Sequence, residues 1–168
     1  MSDILDDWLA EDIGRGDVTS KAVVRNSPCK ADITGGPAVL SGIDVCKDLF
    51  SRVSIEYSTK FSNGYRIGPK TRVFSLQGKS HDVLRVERLA LNLLCHLSGI
   101  ATFTAEIVKK AKSANPNVEI LATRKTTPGL REIEKAAVVH GGGMTHRMRL
   151  DDAILIKDNH LKLCKDIY

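Results

Sequence analysis

The strongest constraint on the fold is a helical pattern of unusual length in the middle of the chain. From Ser80 onward, Val83, Val86, Leu89/Ala90, Leu93/Leu94 and Leu97 recur at three- and four-residue spacing. That repeat places apolar side chains on one face of an α-helix. Ser80 is the kind of residue preferred at a helix N-cap. Ser98-Gly99 is expected to break or bend the helix, after which residues 104–114 continue it until Asn115-Pro116. A proline disfavours the helical region for the residue before it, so the stop is firm. Most helical stability in proteins comes from burying such a face, so the rest of the chain must supply a surface to cover it.

The flanking patterns suggest what that surface is. Residues 2–12 form a short amphipathic pattern with Ile4, Leu5, Trp8 and Leu9 on one face, ended by Gly14. Residues 30–77 alternate between extended segments and turn signals. Extended pieces at 30–34 and 38–43 flank Gly35-Gly36-Pro37, residues 43–51 suit a short helix, and 53–59 and 72–76 suit strands. This is the α+β pattern of a small antiparallel sheet covered by helices. After residue 116 the order changes to a strand over 118–122, a helix over 130–137 and a fully buried strand over 153–156. Strand–helix–strand is the opening of a parallel α/β unit. The expected division is therefore an N-terminal sandwich over 1–115 and a second unit over 116–168.

Composition narrows the class. The chain has 168 residues, 42% of them apolar and 27% charged, which is globular rather than disordered composition. No uninterrupted apolar run approaches the roughly 18 residues of a membrane helix, and the acidic N-terminus is unlike a signal peptide, so no membrane partner and a cytoplasmic protein are expected. The four cysteines (Cys29, Cys46, Cys95 and Cys164) contain no C-x-x-C pair, so no metal site or redox motif is indicated. Cys46 and Cys95, among apolar neighbours, are expected in the core with thiols reduced. The formal net charge is +5. Only five percent of residues are aromatic, and none form a stacking platform among the cations, so nucleic acid is not an expected partner. A small polyanionic substrate suits the charge equally well.

The chemistry concentrates between Ala122 and His160. The first expected strand ends at Thr123-Arg124-Lys125-Thr126-Thr127-Pro128-Gly129 and the second at Lys157-Asp158-Asn159-His160, with Gly141-Gly142-Gly143-Met144-Thr145-His146-Arg147 between them. Ligands of parallel α/β folds collect at the carboxyl ends of strands. Arg124, Lys125, Arg147 and Lys157 would therefore share one mouth, where an anion must offset their mutual repulsion. Guanidinium forks with lysine point charges suit paired carboxylates or phosphates. The glycine triplet matches no phosphate-loop pattern and is more simply a turn that brings His146 and Arg147 to a ligand. His96, within Leu94-Cys95-His96-Leu97, is expected to be a satisfied core histidine. Glu11, Asp12 and Asp17 are explained by capping of the first helix and the turn after it rather than by a metal.

Five segments together carry a family resemblance: residues 11–19 (EDIGRGDVT), 87–102 (ERLALNLLCHLSGIAT), 123–130 (TRKTTPGL), 141–148 (GGGMTHRM) and 154–160 (ILIKDNH). In this order and spacing they resemble quinolinate phosphoribosyltransferase. A related branch of the same fold, proteins associated with molybdenum transport, matches the TRKT and ILIKDNH segments less well. The resemblance implies an α+β N-terminal sandwich followed by the first strands of an open α/β barrel, incomplete in this chain. The implied reaction takes quinolinate and 5-phosphoribosyl-1-pyrophosphate, with Mg²⁺, to nicotinate mononucleotide, pyrophosphate and CO₂ in de novo NAD synthesis.

Carried over residue by residue, the resemblance implies that Arg124 and Arg147 clamp the two carboxylates of quinolinate. His146 stands beside them, Thr123 belongs to the same segment, and Lys157 completes the cationic wall. Lys125 faces the phosphoribosyl group. Lys125 and Lys157 are the implied catalytic cations. Arg88 would reach into the active site of a neighbouring subunit, making the working unit a homodimer or higher oligomer. In the family, acidic residues near the ribose and metal and a loop for the 5′-phosphate lie beyond position 168, so no Mg²⁺ ligand is assigned here. The 168 residues by themselves are expected to be an inactive fragment. The rival readings are a non-catalytic dimerising fragment or a basic nucleic-acid module, which would show a steep salt dependence.

Overall fold

A computed structural model describes residues 2–164. The chain opens with α1 (Ser2–Ile13) and α2 (Val18–Val23), then β1 (Pro28–Gly35), β2 (Ala38–Val39), α3 (Ile43–Arg52), β3 (Glu56–Ser58), β4 (Arg66–Ile67) and β5 (Thr71–Lys79). It continues with α4 (Ser80–Ala114), β6 (Leu121–Ala122), α5 (Arg131–His140), β7 (Met144–Thr145) and α6 (Asp158–Leu163). The helix α1 stops where Gly14 takes a positive φ of 52°, a conformation that glycine adopts at no steric cost. Asp17 then caps α2, its carboxylate accepting from Ser20 N at 2.9 Å, which accounts for one acidic residue of that segment without a metal.

The main sheet has the order β1-β5-β3, antiparallel throughout. Along β1 exposure alternates residue by residue, so Cys29, Ala31 and Ile33 turn inward while Lys30 and Asp32 face solvent. Phe74 and Leu76 of β5 face the core. There Phe74 meets Phe50 of α3 edge-on, at 5.3 Å between ring centres, a favoured aromatic geometry. The apolar face anticipated for the long helix supplies the other side: Val86, Ala90 and Leu97 of α4 are at most 1% exposed. Leu5 of α1 closes the same core, which also takes in Ile133 and Ala137 of α5. The architecture is α+β, with a helical layer on an antiparallel sheet and no closed barrel among the described residues.

Several expectations fail locally, each for a physical reason. The helix is not broken at Ser98-Gly99. Ser98 Oγ donates to Ser41 O at 3.1 Å and accepts from Ser41 N at 3.0 Å, so the hydroxyl serves a neighbouring segment rather than competing with the helix. Gly99 costs only about 1 kcal/mol relative to alanine. Ser80 is not the N-cap: β5 runs directly into α4, Lys79 occupies the cap, and Ser80 Oγ donates to Arg25 O at 3.0 Å. Cys95 and His96 are exposed rather than core residues: they lie beside the buried face of α4, Cys95 on a cleft next to β1 and His96 against Glu134 of α5. Cys46 is buried as expected, and burial pushes its thiol pKa up to about 12.

Among the described residues one helix, α4, is long and apolar enough to cross a membrane by length and composition, with an 18-residue window of mean hydropathy 1.4. Asn92 and His96 interrupt its runs and lower the average, which still reaches 1.4. Here its buried face packs into the core, as for the central helix of a globular unit.

The largest correction concerns the second unit. The strand expected over 118–122 is reduced to β6, and residues 153–156 form no strand. Ile154 is 92% exposed. The parallel partner of β6 is instead β7, with Leu121 opposite Met144 and Ala122 opposite Thr145. Strand–helix–strand order is therefore present, but it closes about ten residues earlier than the apolar run AILI suggested. The glycine triplet makes this possible. A Cβ on Gly141 would lie 2.4 Å from Ala101 O, and one on Gly143 would lie 2.7 Å from Val138 Cγ1. The triplet is the expected turn, with Gly142 at a positive φ of 87°, but Gly141 and Gly143 pack too closely against α4, α5 and the β6 end for it to be a flexible one.

Candidate active site

Because β6 and β7 are parallel neighbours, their carboxyl ends open on the same side. Thr123, Arg124 and Lys125 follow β6 directly, and His146 and Arg147 follow β7. These five residues, with Leu121, Ala122, Leu155 and Lys157, line one cleft of about 500 Å³. Of the site residues expected from sequence, Thr123, Arg124, Lys125, His146, Arg147 and Lys157 are brought together. Arg88 is not: it is exposed on α4, away from this cleft. Lys157 reaches the rim by a different route from the one anticipated, at the N-terminus of α6 rather than at the end of a buried strand. Residues 165–168 lie outside the described residues.

Each wall is fixed by specific bonds. After β6, Lys125 N donates to Thr123 Oγ1 at 3.1 Å, and Thr127 N donates to Glu134 Oε2 at 3.0 Å. Glu134 Oε1 lies 2.9 Å from His96 Nε2. Burial pushes the Glu134 carboxyl pKa upward, but the Thr127 and His96 hydrogen bonds outweigh it and leave the pKa below its ordinary value. After β7, Arg147 Nη1 donates to Ala153 O at 2.9 Å. Arg131 Nη1 donates to Met148 O at 2.9 Å. The carboxylate of Asp152 accepts from Met148 N at 2.6 Å and Arg149 N at 3.0 Å. These backbone bonds hold its pKa below the usual range.

Lys135, from the middle of α5, is 1% exposed and donates to His146 O and Arg147 O, both at 2.8 Å. Burial lowers its pKa, and the nearby Arg131 and Arg124 add to the effect against Asp152. Neither Glu134 nor Lys135 stood out in the sequence. Lys135 lies opposite the Ile133/Ala137 stripe of α5, where a helix normally meets solvent. This helix is covered on both sides, by α4 and by the segment after β7.

The cleft is a site for an anion by its donor set. Its polar side chains are two guanidinium groups, two lysines, an imidazole and a hydroxyl, with no carboxylate. Arg124 Nε is buried with no hydrogen-bond partner, and an orphaned buried charged donor is costly unless a ligand accepts from it. The same lining does not suit Mg²⁺, a hard cation that binds through carboxylates and other oxygen ligands. Among the described residues no group of three or more His, Cys, Asp or Glu side chains is placed to hold a metal ion.

The fold and cleft define a class: an α+β chain with a cationic, anion-accepting cleft at the carboxyl ends of two parallel strands. Solved structures narrow it. Nicotinate-nucleotide pyrophosphorylase from Ehrlichia chaffeensis superposes with a TM-score of 0.91 at 33% identity, covering 99% of this chain and 62% of that one. NadC from Streptococcus pyogenes gives 0.88 at 35% identity, covering 96% and 58%. The probable nicotinate-nucleotide pyrophosphorylase [carboxylating] of Methanothermobacter thermautotrophicus is 40% identical over 99% of this chain and 61% of its own length. Its counterpart in Bacillus subtilis is 37% identical over 99% and 58%.

The N-terminal domain model of quinolinate phosphoribosyl transferase matches residues 17–98, and the C-terminal domain model matches 100–168. The chain belongs to the quinolinate phosphoribosyl transferase family. It spans 58–61% of the length of these two curated relatives. The two family models meet inside α4, which therefore contributes to both.

Proposed function

We propose that the chain contributes the quinolinate-recognising part of a quinolinate phosphoribosyltransferase, which transfers the phosphoribosyl group of 5-phosphoribosyl-1-pyrophosphate to quinolinate with decarboxylation. The products are nicotinate mononucleotide, pyrophosphate and CO₂. The observation that carries this reading is the convergence of six polar residues from three separate segments on one cleft, with Arg124 Nε unpartnered. Arg124 and Arg147 hold the two adjacent carboxylates of quinolinate, for which planar guanidinium forks are the matching donors. His146 and Thr123 add directional hydrogen bonds. Lys157 completes the cationic wall on the pyridine side, and Lys125 faces the phosphoribosyl group.

Both chemical steps are electrostatic. Departure of pyrophosphate leaves a ribose that is cation-like, and decarboxylation develops negative charge on the pyridine ring carbon. Fixed cations such as Lys125 and Lys157 stabilise the departing and developing negative charge without a covalent intermediate. Fixing the pyridine against the donor contributes by proximity and orientation. The described residues offer no donor set for Mg²⁺.

The wider reading is a cytoplasmic homodimer. Residues 1–115 form its first unit, and residues 116–168 begin an open α/β barrel. Arg88, exposed on α4 and outside its own chain's cleft, would serve the partner's site. Selectivity tests the core of this proposal. Calorimetric titration should give quinolinate about tenfold or greater preference over nicotinate, which lacks the second carboxylate and so loses one charge-assisted contact of roughly 1.5–3 kcal/mol. Equal affinities would contradict a paired-carboxylate site.

A further inference from the structure

We propose that Lys135 is a positioning residue for dicarboxylate recognition, its buried ammonium fixing the His146–Arg147 backbone so that both side chains enter the cleft. The inference rests on the quinolinate reading above. Three observations carry it. Lys135 Nζ bonds two consecutive carbonyl oxygens, His146 O and Arg147 O, each at 2.8 Å, and Arg131 Nη1 takes the next, Met148 O, at 2.9 Å. Asp152 binds the amides of Met148 and Arg149 just beyond. The segment is thus held by its carbonyls from α5 and by its amides from the 149–153 bend.

The cost of the arrangement is visible. Lys135 is almost fully buried and shares its surroundings with the like-charged Arg131 and Arg124. An apolar residue there would avoid burying a charge, but would leave the two carbonyls without their shared donor. The ammonium does not line the cleft itself. It acts through the segment that does. Its neighbour Glu134 performs the matching task on the other wall, through Thr127. Consecutive residues of α5 thereby brace both strand ends.

The test compares wild type with Lys135→Met, which keeps length and removes the donors. Without ligand, ¹⁵N–¹H spectra should show shifted amide resonances for His146, Arg147 and Met148, with Thr123–Lys125 little changed. With quinolinate, affinity should fall by roughly tenfold, the loss expected when a charge-assisted hydrogen bond is removed. The decisive readout is coupling: in a background carrying both His146→Ala and Arg147→Ala, Lys135→Met should cost less than about twofold, because the side chains it positions are gone. An equal loss in both backgrounds would reduce Lys135 to a general structural or field effect and overturn the proposal, as would unchanged amide resonances at 146–148. If wild type fails to bind quinolinate, the functional reading falls, while the ligand-free spectra still decide what Lys135 does to the segment. Should the methionine variant not fold, Lys135→Gln, which retains a donor of shorter reach, is read in the same way.

Discussion

Removing both guanidinium groups, as Arg124→Ala with Arg147→Ala, should reduce quinolinate affinity by at least about a hundredfold. On the proposed reading each would contribute a charge-assisted contact worth roughly 1.5–3 kcal/mol. The two would act on one ligand from the carboxyl ends of neighbouring parallel strands, so the double loss need not equal the sum of the single losses. Arg124 is expected to be the costlier of the pair. Its Nε is already buried without a partner, whereas part of the Arg147 guanidinium is committed to Ala153 O. Calorimetry on the two single variants and the double variant measures this directly. Retained affinity in the double variant would place the carboxylates elsewhere.

The second large effect is on stability. Phe74→Ala should lower the unfolding free energy by about 3–5 kcal/mol, the usual cost of removing a buried aromatic ring. Phe74 has no exposed surface and sits edge-on to Phe50 and Tyr57. Its cavity would open between β5 and α3, where β1 and β3 hold the sheet on both sides and leave little room to collapse. Urea unfolding should show an earlier midpoint with an unchanged slope. A loss under about 1 kcal/mol would mean that the sheet and helix layers repack freely, contrary to a dense core.

How much of this was legible from the residues follows from which signals are local. The three- and four-residue apolar repeat of α4 and the strand pattern over 72–76, now within β5, appeared where expected, because each reports a buried face directly. The end of β6 was equally legible, since cations after a short apolar run mark a strand terminus at a cleft. The segment over 153–156 was misleading for the same reason. Four consecutive apolar residues look like a buried strand, but periodicity alone cannot distinguish that from an exposed segment. Met144 and Thr145, only two residues long, carry no pattern by which to recognise β7. Lys135 was invisible because helical periodicity identifies one buried face, and α5 is covered on two.

The claim on which the rest depends is that a dianionic pyridine sits between the ends of β6 and β7. Titration of ¹⁵N-labelled chain with quinolinate, followed by amide chemical shifts, tests it most directly. The expected result is a saturable set of perturbations confined to Thr123, Arg124 and Lys125, His146 and Arg147, and Lys157. Perturbations centred instead on the solvent face of the β1-β5-β3 sheet, where Lys30 and Arg72 offer the alternative cations, or no saturable perturbation at all, would contradict it.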